Sequence, residues 1–267
     1  MDIALVVSDV DGTLVTTDKR LTPATVAAVR RLQAAGIAFT LASSRPPIGL
    51  KALVEALDLS LPLGAFNGAA IVRPDLSPVA QTLLQEDTAQ AVAGRLEAAG
   101  VDLWIFAQGA WILRDPDGAY TDLEARTVGA APRVVPDLAP FLASASKLVG
   151  VSRNVGLLHD LERDLSDAFA GRAAIHRSQP YYLDVTPPHV DKGSFVSWIA
   201  ESLGIGPDRI ATLGDAGNDV ALFRRGRLSI AMGNAAPEVQ RAASAITASN
   251  DADGFAEAVD RLILPRR

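Results

Sequence analysis

The sequence contains no cysteine and only three histidines among its 267 residues. The lack of cysteine excludes disulfides, thiolate metal sites and thiol nucleophiles, and it is typical of a cytoplasmic protein. No apolar run approaches the roughly 20 residues that a membrane-spanning helix needs. No basic segment precedes the first apolar run, so we expect no signal peptide. These absences predict a cytoplasmic protein that does not contact a membrane.

Positive charge is also scarce, with 25 Lys and Arg against 31 Asp and Glu, for a formal net charge of -6. This balance argues against binding along the phosphate backbone of a nucleic acid. Hydrophobic residues nevertheless make up 49% of the chain, which indicates a well-buried globular protein. The length suits one large domain, or a core with a smaller domain inserted into it.

A short apolar run at residues 3–7 is followed at once by two acids, Asp9 and Asp11, and by Gly12. The run is typical of a buried strand, and ligands bind at the C-terminal edge of parallel sheets. Two carboxylates this close require a cation between them or a proton on one of them. Taken alone, the pattern is also typical of a solvated turn, so it needs support from the rest of the chain.

Strand and helix patterns alternate at both ends of the chain, which predicts a parallel α/β sheet. Between them, residues 82–187 mix helices, strands and turns, which is typical of an α+β insertion. Within this insertion the pattern predicts a strand at residues 156–158 and a helix at residues 160–169. We therefore expect a catalytic core formed by residues 1–81 and 188–267, and an inserted domain at residues 82–187.

Polar residues stand at three further strand ends or helix starts. They are Ser43, Ser44, Lys192, Asp215, Asn218 and Asp219. Each group by itself has an ordinary explanation, such as a surface lysine, a turn or a helix cap. Their joint occurrence with the two N-terminal acids predicts that these residues form one site.

Asp-x-Asp-Gly-Thr, Ser-Ser-Arg, Asp-Lys-Gly and Gly-Asp-x-x-Asn-Asp, in this order, resemble the haloacid dehalogenase (HAD) superfamily of phosphotransferases. The resemblance is close to its Cof-type phosphatase branch, because residues 67–69, 181–187 and 231–235 match that branch as well. It covers nearly the whole core and both junctions of the insertion. It implies a Rossmann-like three-layer α/β core with a parallel sheet, and an inserted α+β (C2-type) cap that sets substrate specificity.

The resemblance also implies roles for the acids and the lysine. Asp9 would be the nucleophile that forms an aspartyl-phosphate, and Asp11 would act as general acid and base. Lys192 would neutralise the charge of the transferring phosphoryl group. Asp9, the main-chain carbonyl of Asp11 and the carboxylate of Asp215 would hold Mg²⁺.

The phosphate itself would be bound by the Ser43 hydroxyl, the Ser44 amide and Asn218. Asp219 would not bind the metal directly but would orient the groups that do. The relatives usually carry Thr-Gly-Arg where this chain has Ser43-Ser44-Arg45. If phosphate must approach the backbone at Ser44, the added side chain would narrow the site or demand a strained backbone.

Within the insertion, several aromatic and arginine side chains are candidates for contact with the leaving group. They are Trp104, Trp111, Tyr120, Arg153, Arg177, Tyr181 and Tyr182. Aromatic side chains in a small domain are more often core residues, so we expect most of these to be structural. The three histidines, His159, His176 and His189, lack metal-ligand spacing.

These observations predict a Mg²⁺-dependent phosphatase that acts on a small phosphorylated metabolite, with a sugar phosphate the class that the resemblance favours. A phosphotransferase or mutase that passes the phosphoryl group to a second hydroxyl is an alternative within the superfamily. A non-catalytic module that only binds a phosphorylated ligand is an alternative of another class. We expect a monomer or a homodimer.

Overall fold

The structure is a computed structural model that describes residues 2–264. The contacts divide the chain into two compact units. The first comprises Met1–Ser43, Lys51–Val79 and Asp191–Arg267, and the second comprises Ser44–Leu50 and Ala80–Val190. The second unit therefore includes a short segment, Ser44–Leu50, that the sequence analysis assigned to the core.

Fourteen strands and ten α-helices make up the regular structure of the described residues. The strands are β1 (Leu5–Ser8), β2 (Ala38–Leu41), β3 (Leu63–Ala65), β4 (Ala70–Val72), β5 (Pro78–Gln81), β6 (Asp102–Ala107), β7 (Ala110–Leu113), β8 (Arg133–Val134), β9 (Ala145–Val151), β10 (Ala174–Gln179), β11 (Tyr182–Thr186), β12 (Ile210–Gly214), β13 (Leu228–Ala231) and β14 (Ala245–Ile246). The helices are α1 (Pro23–Ala34), α2 (Lys51–Leu57), α3 (Glu86–Ala98), α4 (Thr121–Val128), α5 (Ala139–Leu142), α6 (Val155–Ala168), α7 (Lys192–Leu203), α8 (Val220–Phe223), α9 (Pro237–Ala242) and α10 (Gly254–Ala258). Short 3₁₀ turns lie at Pro47–Leu50, Phe66–Gly68, Pro207–Arg209, Gly217–Asp219 and Asn250–Ala252, and a π turn lies at Val259–Ile263.

A five-stranded sheet in the order β14-β13-β12-β1-β2 forms the centre of the first unit, and every neighbouring pair in it is parallel. All four residues of β1 are buried, as expected for a strand covered on both faces. Strand β3 contacts this sheet through one parallel bridge, between Ala42 and Gly64. Beyond that bridge β3 pairs antiparallel with β4.

Local capping fixes the start of α7, the helix that carries Lys192. The Asp191 carboxylate accepts a hydrogen bond from the Ser194 N–H (2.7 Å), and the Ser194 hydroxyl is 3.1 Å from the Asp191 nitrogen, which forms a capping box. The helix ends at Gly204, which adopts a left-handed backbone with a φ of 65°. Lys192 is therefore fixed at the first helical position.

The second unit is built on a mainly antiparallel six-stranded sheet in the order β10-β11-β9-β6-β7-β8. Helices α3 and α6 contribute apolar side chains to one buried cluster with this sheet, among them Leu96 and Leu158. A parallel α/β sheet and a separate unit on an antiparallel sheet confirm the predicted fold class.

One predicted strand is wrong. Residues 156–158 lie inside α6, because the Asn154 side chain accepts a hydrogen bond from the Leu157 N–H (3.1 Å) and starts the helix there. The helix predicted for residues 160–169 is the remainder of the same element. Among residues 2–264, no helix combines the length and the apolar character that crossing a bilayer requires.

Candidate active site

Three parallel strands end at one edge of the first unit's sheet, and predicted site residues follow each of them. Asp9 comes directly after β1, and its N–H donates to the carbonyl of Leu213 in the neighbouring strand β12 (3.0 Å). Asp215 comes directly after β12, and Ser43 comes two residues after β2. Because these strands are adjacent and parallel, their ends lie side by side.

Lys192 joins the acids at this edge. Its Nζ lies 2.6 Å from Asp9 Oδ1 and 2.6 Å from Asp219 Oδ1. The lysine side chain is 2% exposed, and those of Asp9 and Asp219 are 5% and 0% exposed. The three charges are therefore removed from bulk water, where their interactions are much stronger than at the surface.

Burial and like charge shift the pKa values of these groups. Burial, and after it the carboxylate of Asp219, raises the pKa of Asp9 well above its usual range, although Lys192 acts in the opposite direction. The same two causes raise the pKa of Asp215 to about 6. For Lys192, burial lowers the pKa, but the two acids that it contacts outweigh burial and hold the pKa above its usual value. These shifts favour a proton or a further cation beside the acids.

Both oxygens of Asp219 are occupied by hydrogen bonds. Oδ1 accepts from Lys192, and Oδ2 accepts from the N–H groups of Asp215 and Ala216, both at 2.9 Å. Asp219 therefore fixes the lysine and the main chain of the loop after β12.

The Asp215 carboxylate is held by two side chains. Thr13 Oγ1 donates to Oδ1 (3.2 Å), and Asn234 Nδ2 donates to Oδ2 (3.3 Å). Asn234 Nδ2 also lies 2.9 Å from the Gly12 carbonyl oxygen. Gly12 has a φ of 82°, and a Cβ there would overlap the Asp215 carboxylate, so only glycine fits this position.

Three acids have the arrangement of a metal site. One carboxylate oxygen from each of Asp9, Asp215 and Asp219 lies within 4.8 Å of the other two. Carboxylate oxygens are the ligands that hard divalent cations prefer. The raised pKa values of Asp9 and Asp215 show that a further positive charge would be stabilising here. The donor atoms and the charge therefore fit a hard divalent cation.

The side chain of Asp11 lies outside this cluster and forms an ion pair with Lys19, with 2.8 Å between Nζ and Oδ1. The acid is 15% exposed and the lysine 32% exposed. Lys19 has a left-handed backbone with a φ of 63°. An acid at the edge of the site with partial access to water has the position that proton exchange requires.

The residues predicted to bind phosphate lie in different surroundings. Ser43 is fully buried, its N–H donates to the Gly64 carbonyl (2.8 Å), and its own carbonyl accepts from the Asn67 N–H (2.8 Å). Asn218 Nδ2 donates to Asn67 Oδ1 (3.2 Å). Ser44 groups with the second unit, and its backbone does not adopt a positive φ, so the strain considered for a serine there does not arise.

Of the aromatic candidates in the second unit, three pack against one another. Trp104 is 2% exposed and meets Trp111 and Tyr182 edge to face, with ring centroids 5.0 and 5.2 Å apart. Such contacts are typical of a core.

The other candidates in this unit also have protein partners. Tyr120 stacks on Tyr181 with a centroid distance of 4.1 Å, and the Arg153 guanidinium lies 5.9 Å from the Tyr120 ring. Arg177 Nε donates to Glu162 Oε2 (2.8 Å). A role for any of them in substrate contact stays a prediction.

Four residues with contacts in this region had no role in the sequence analysis. Thr13, Asn67 and Asn234 belong to motifs that carry the family resemblance, but the sequence did not predict which residues their side chains contact. Lys19 lies in a polar loop with no pattern to single it out. The partners of Thr13 and Asn67 are 202 and 151 positions away in the chain, which is why local patterns did not reveal these contacts.

Comparison with known proteins gives consistent matches. The sequence profile of the haloacid dehalogenase-like hydrolase family matches residues 6–259. Phosphoglycolate phosphatase of Natronomonas pharaonis is 30% identical over 261 residues, which cover 97% of each chain. The 5-amino-6-(5-phospho-D-ribitylamino)uracil phosphatase of Bacillus subtilis is 25% identical over 269 residues, which cover 99% of this chain and 97% of that protein.

A solved structure is similar over almost its entire length. It is a haloacid dehalogenase-like hydrolase from Bacteroides thetaiotaomicron that is 27% identical, with a TM-score of 0.86 over 97% of this chain and 99% of that chain. A phosphatase acts on a phosphorylated substrate, and the buried lysine and acids suit that chemistry. Because the family match spans most of the sequence and the relatives are named phosphatases, the chain belongs to the haloacid dehalogenase-like hydrolase family, in its Cof-type branch, and is a HAD-type phosphatase.

Proposed function

We propose that this phosphatase is a Mg²⁺-dependent phosphomonoesterase that hydrolyses a small phosphorylated metabolite through an aspartyl-phosphate on Asp9. The observation that carries the proposal is the buried contact of Asp9 with Lys192 at the end of β1, with Asp215 beside them. A carboxylate in this position can attack phosphorus, because Lys192 offsets the charge of the phosphoryl group that it approaches.

In the first step, a carboxylate oxygen of Asp9 attacks phosphorus in line with the ester oxygen. The bond between phosphorus and the ester oxygen breaks, and that oxygen takes a proton from the Asp11 carboxyl group. Lys19, 2.8 Å from Asp11, then stabilises the charged carboxylate that remains. The products of this step are the free alcohol and an aspartyl-phosphate.

In the second step, water attacks the phosphorus of the aspartyl-phosphate. Its proton passes to the Asp11 carboxylate, and the bond between phosphorus and Asp9 breaks to release inorganic phosphate. Asp11 returns to its protonated form, so the two steps need no other acid or base. Ser43 and Asn218 would bind the phosphoryl oxygens throughout, and Ser44 would add a main-chain N–H.

Asp9, Asp215 and the main-chain carbonyl of Asp11 would hold the Mg²⁺, and Asp219 would support them. When bound, the ion supplies positive charge against the phosphoryl oxygens. Asp219 suits the supporting position because both of its oxygens already accept hydrogen bonds from the protein.

The substrate class follows from less direct support. The Bacillus subtilis relative is named for a compound whose phosphate sits on a ribityl chain, and the Natronomonas pharaonis relative for phosphoglycolate. Both are small phosphomonoesters, and the first is a sugar-alcohol phosphate. We therefore propose sugar and sugar-alcohol phosphates as the first class to test.

A phosphate-release screen over sugar phosphates, nucleotides and cofactor phosphates tests the proposal. We expect turnover with Mg²⁺ to fall at least about 100-fold with excess chelator and to return when Mg²⁺ is restored, because an uncompensated acid cluster repels the phosphoryl group. Turnover that is unchanged by chelation would contradict the metal dependence. New phosphoester formed from an added alcohol, in place of phosphate, would favour a phosphotransferase.

The raised pKa of Asp215 predicts that the stabilising effect of Mg²⁺ depends on pH. An acid whose pKa rises on folding, here from 3.8 to about 6, favours the folded state while protonated, and this contribution is lost as pH rises through 6. Mg²⁺ binds the ionised form. We therefore expect 5 mM Mg²⁺ to raise the melting temperature by about 3 °C more at pH 7.5 than at pH 5.

Differential scanning fluorimetry at the two pH values, with KCl at matched ionic strength as the control salt, measures this difference. The Asp215→Asn variant should lose the part of this pH dependence that Asp215 contributes, while Asp9, whose pKa is also raised, keeps its own part. Equal shifts at both pH values in the unaltered protein would contradict the prediction.

A further inference from the structure

The turn Phe66–Gly68, directly after β3, has an unusual backbone. Phe66 and Asn67 both have positive φ values, 49° and 57°, and Asn67 is 1% exposed. Residues other than glycine adopt this left-handed conformation only where their surroundings hold them in it, and asparagine tolerates it best. The turn is therefore fixed by its contacts within the first unit.

Those contacts reach three separate parts of the candidate phosphate site. The Asn67 N–H donates to the Ser43 carbonyl (2.8 Å), and Asn67 Oδ1 accepts from Asn218 Nδ2 (3.2 Å). Gly68 packs so closely on the residue before Lys192 that a Cβ would lie 2.7 Å from the Asp191 carbonyl oxygen. One turn thus contacts the loop after β2, the loop after β12 and the start of α7.

Of these three parts, the loop after β12 depends most on the turn, because the Asn67 side chain holds Asn218 there. Within residues 2–264, the bond to Asn67 is the one hydrogen bond that the Asn218 side chain makes, since its Oδ1 is buried without a partner. A side-chain amide has two N–H donors, and Asn67 uses one of them. The second N–H is left to bind an oxygen of a ligand, in an orientation that Asn67 sets.

We propose that Asn67 is a positioning residue for phosphate binding, which acts by holding the Asn218 amide. The inference rests on the proposed function only in taking the phosphoryl group as the ligand. Without the Asn67 side chain, the Asn218 amide would rotate among several rotamers, and part of its bond to phosphate would be lost. One hydrogen bond of this kind corresponds to about a 5- to 10-fold change in affinity.

The test is a double-mutant cycle with inorganic phosphate as the probe, measured by isothermal titration calorimetry in the presence of Mg²⁺. Asn67→Gly keeps the left-handed backbone and the N–H to Ser43, and it removes only the side chain. We expect Asn67→Gly and Asn218→Ala each to weaken phosphate binding about 5- to 10-fold. We expect the double variant to bind no more weakly than Asn218→Ala, because Asn67 acts through Asn218.

Asp58→Gly is the matched control, because Asp58 also has a positive φ (50°) but is exposed at the end of α2. It should bind phosphate as the unaltered protein does. A general loss of structure would lower the melting temperature and would add to the effect of Asn218→Ala, which the cycle detects. Unchanged binding in Asn67→Gly, unchanged binding in Asn218→Ala, or full additivity of the two would each overturn the inference.

The calorimetric readout separates this inference from the proposed function. If no ester is hydrolysed but phosphate binds and the cycle shows coupling, the positioning role stands and the hydrolase proposal fails. If esters are hydrolysed and the cycle shows no coupling, the hydrolase proposal stands and the positioning role of Asn67 fails. If the unaltered protein binds no phosphate, the positioning role is overturned.

Discussion

Replacing Asp9 with asparagine is expected to lower kcat by at least about 10⁴-fold, the order of loss seen when a catalytic nucleophile is removed. The amide has almost the same shape as the carboxylate, but it is a far weaker nucleophile and cannot form an aspartyl-phosphate. The measurement is phosphate release from the best ester in the screen. Asp58→Asn, the same change at an exposed position, should retain full activity.

The folded state should survive the substitution, which makes the result interpretable. Asp9 is buried beside two further carboxylates, and removing its charge relieves repulsion while Lys192 keeps its contact with Asp219. We therefore expect a melting temperature close to that of the unaltered protein. A fully active Asp9→Asn protein would rule out the covalent mechanism.

Asp11→Asn separates the two steps of the same mechanism. This variant lacks both the acid of the first step and the base of the second, so the ester used is an aryl phosphate, whose leaving oxygen needs no proton. Asp9 can then still be phosphorylated, but water is no longer deprotonated, so phosphate should remain attached to the protein. Acid quenching after reaction with a ³²P-labelled ester would show label on this variant and none on Asp9→Asn. Labelled Asp9→Asn would place the covalent intermediate on another residue.

The second large effect is on stability and concerns an ion pair in the sheet of the second unit. Lys147 on β9 and Asp184 on β11 are 6% and 0% exposed, with 2.6 Å between Nζ and Oδ2. The lysine also donates to the Ser44 carbonyl (3.2 Å). Apart from Lys147, no hydrogen-bond partner of either Asp184 oxygen lies within residues 2–264.

Lys147→Met should therefore destabilise the protein by about 3–5 kcal/mol, because it leaves a buried carboxylate without a counter-charge. For a chain of this size, that loss corresponds to a fall of about 10 °C in the melting temperature. The double variant Lys147→Met/Asp184→Leu should recover most of it, since an apolar pair carries no desolvation cost. Thermal melts of the single and double variants measure both effects.

Arg163→Met is the control for this comparison, because Arg163 pairs with Asp164 on an exposed surface of α6. The melting temperature of the Arg163→Met variant should differ from that of the unaltered protein by less than about 2 °C, as expected for a solvated ion pair. A double variant that is no more stable than Lys147→Met would show that the methionine itself disrupts packing. The explanation by an unpaired carboxylate would then be wrong.

Prediction from sequence succeeded where the controlling interactions are local. The buried run before Asp9 identified β1, and the Asp191 and Ser194 pair lies within one turn of α7, so the position of Lys192 was readable from its neighbours. Residues 156–158 were misassigned because a short apolar run has no periodicity that separates a strand from the start of a helix. There the Asn154 cap decided the outcome.

The alternation of strand and helix patterns was enough by itself to predict the α/β class, and the order of the motifs was enough for a resemblance that predicts the phosphatase family. Only the tertiary structure decided that Lys192 sits between Asp9 and Asp219, that Asn67 joins Ser43 to Asn218, and that Lys147 neutralises Asp184. Asp9 and Lys192 are 183 positions apart, and Asn67 and Asn218 are 151 apart. Such contacts depend on strand order and on side-chain direction, which local hydrophobic patterns and capping residues do not specify.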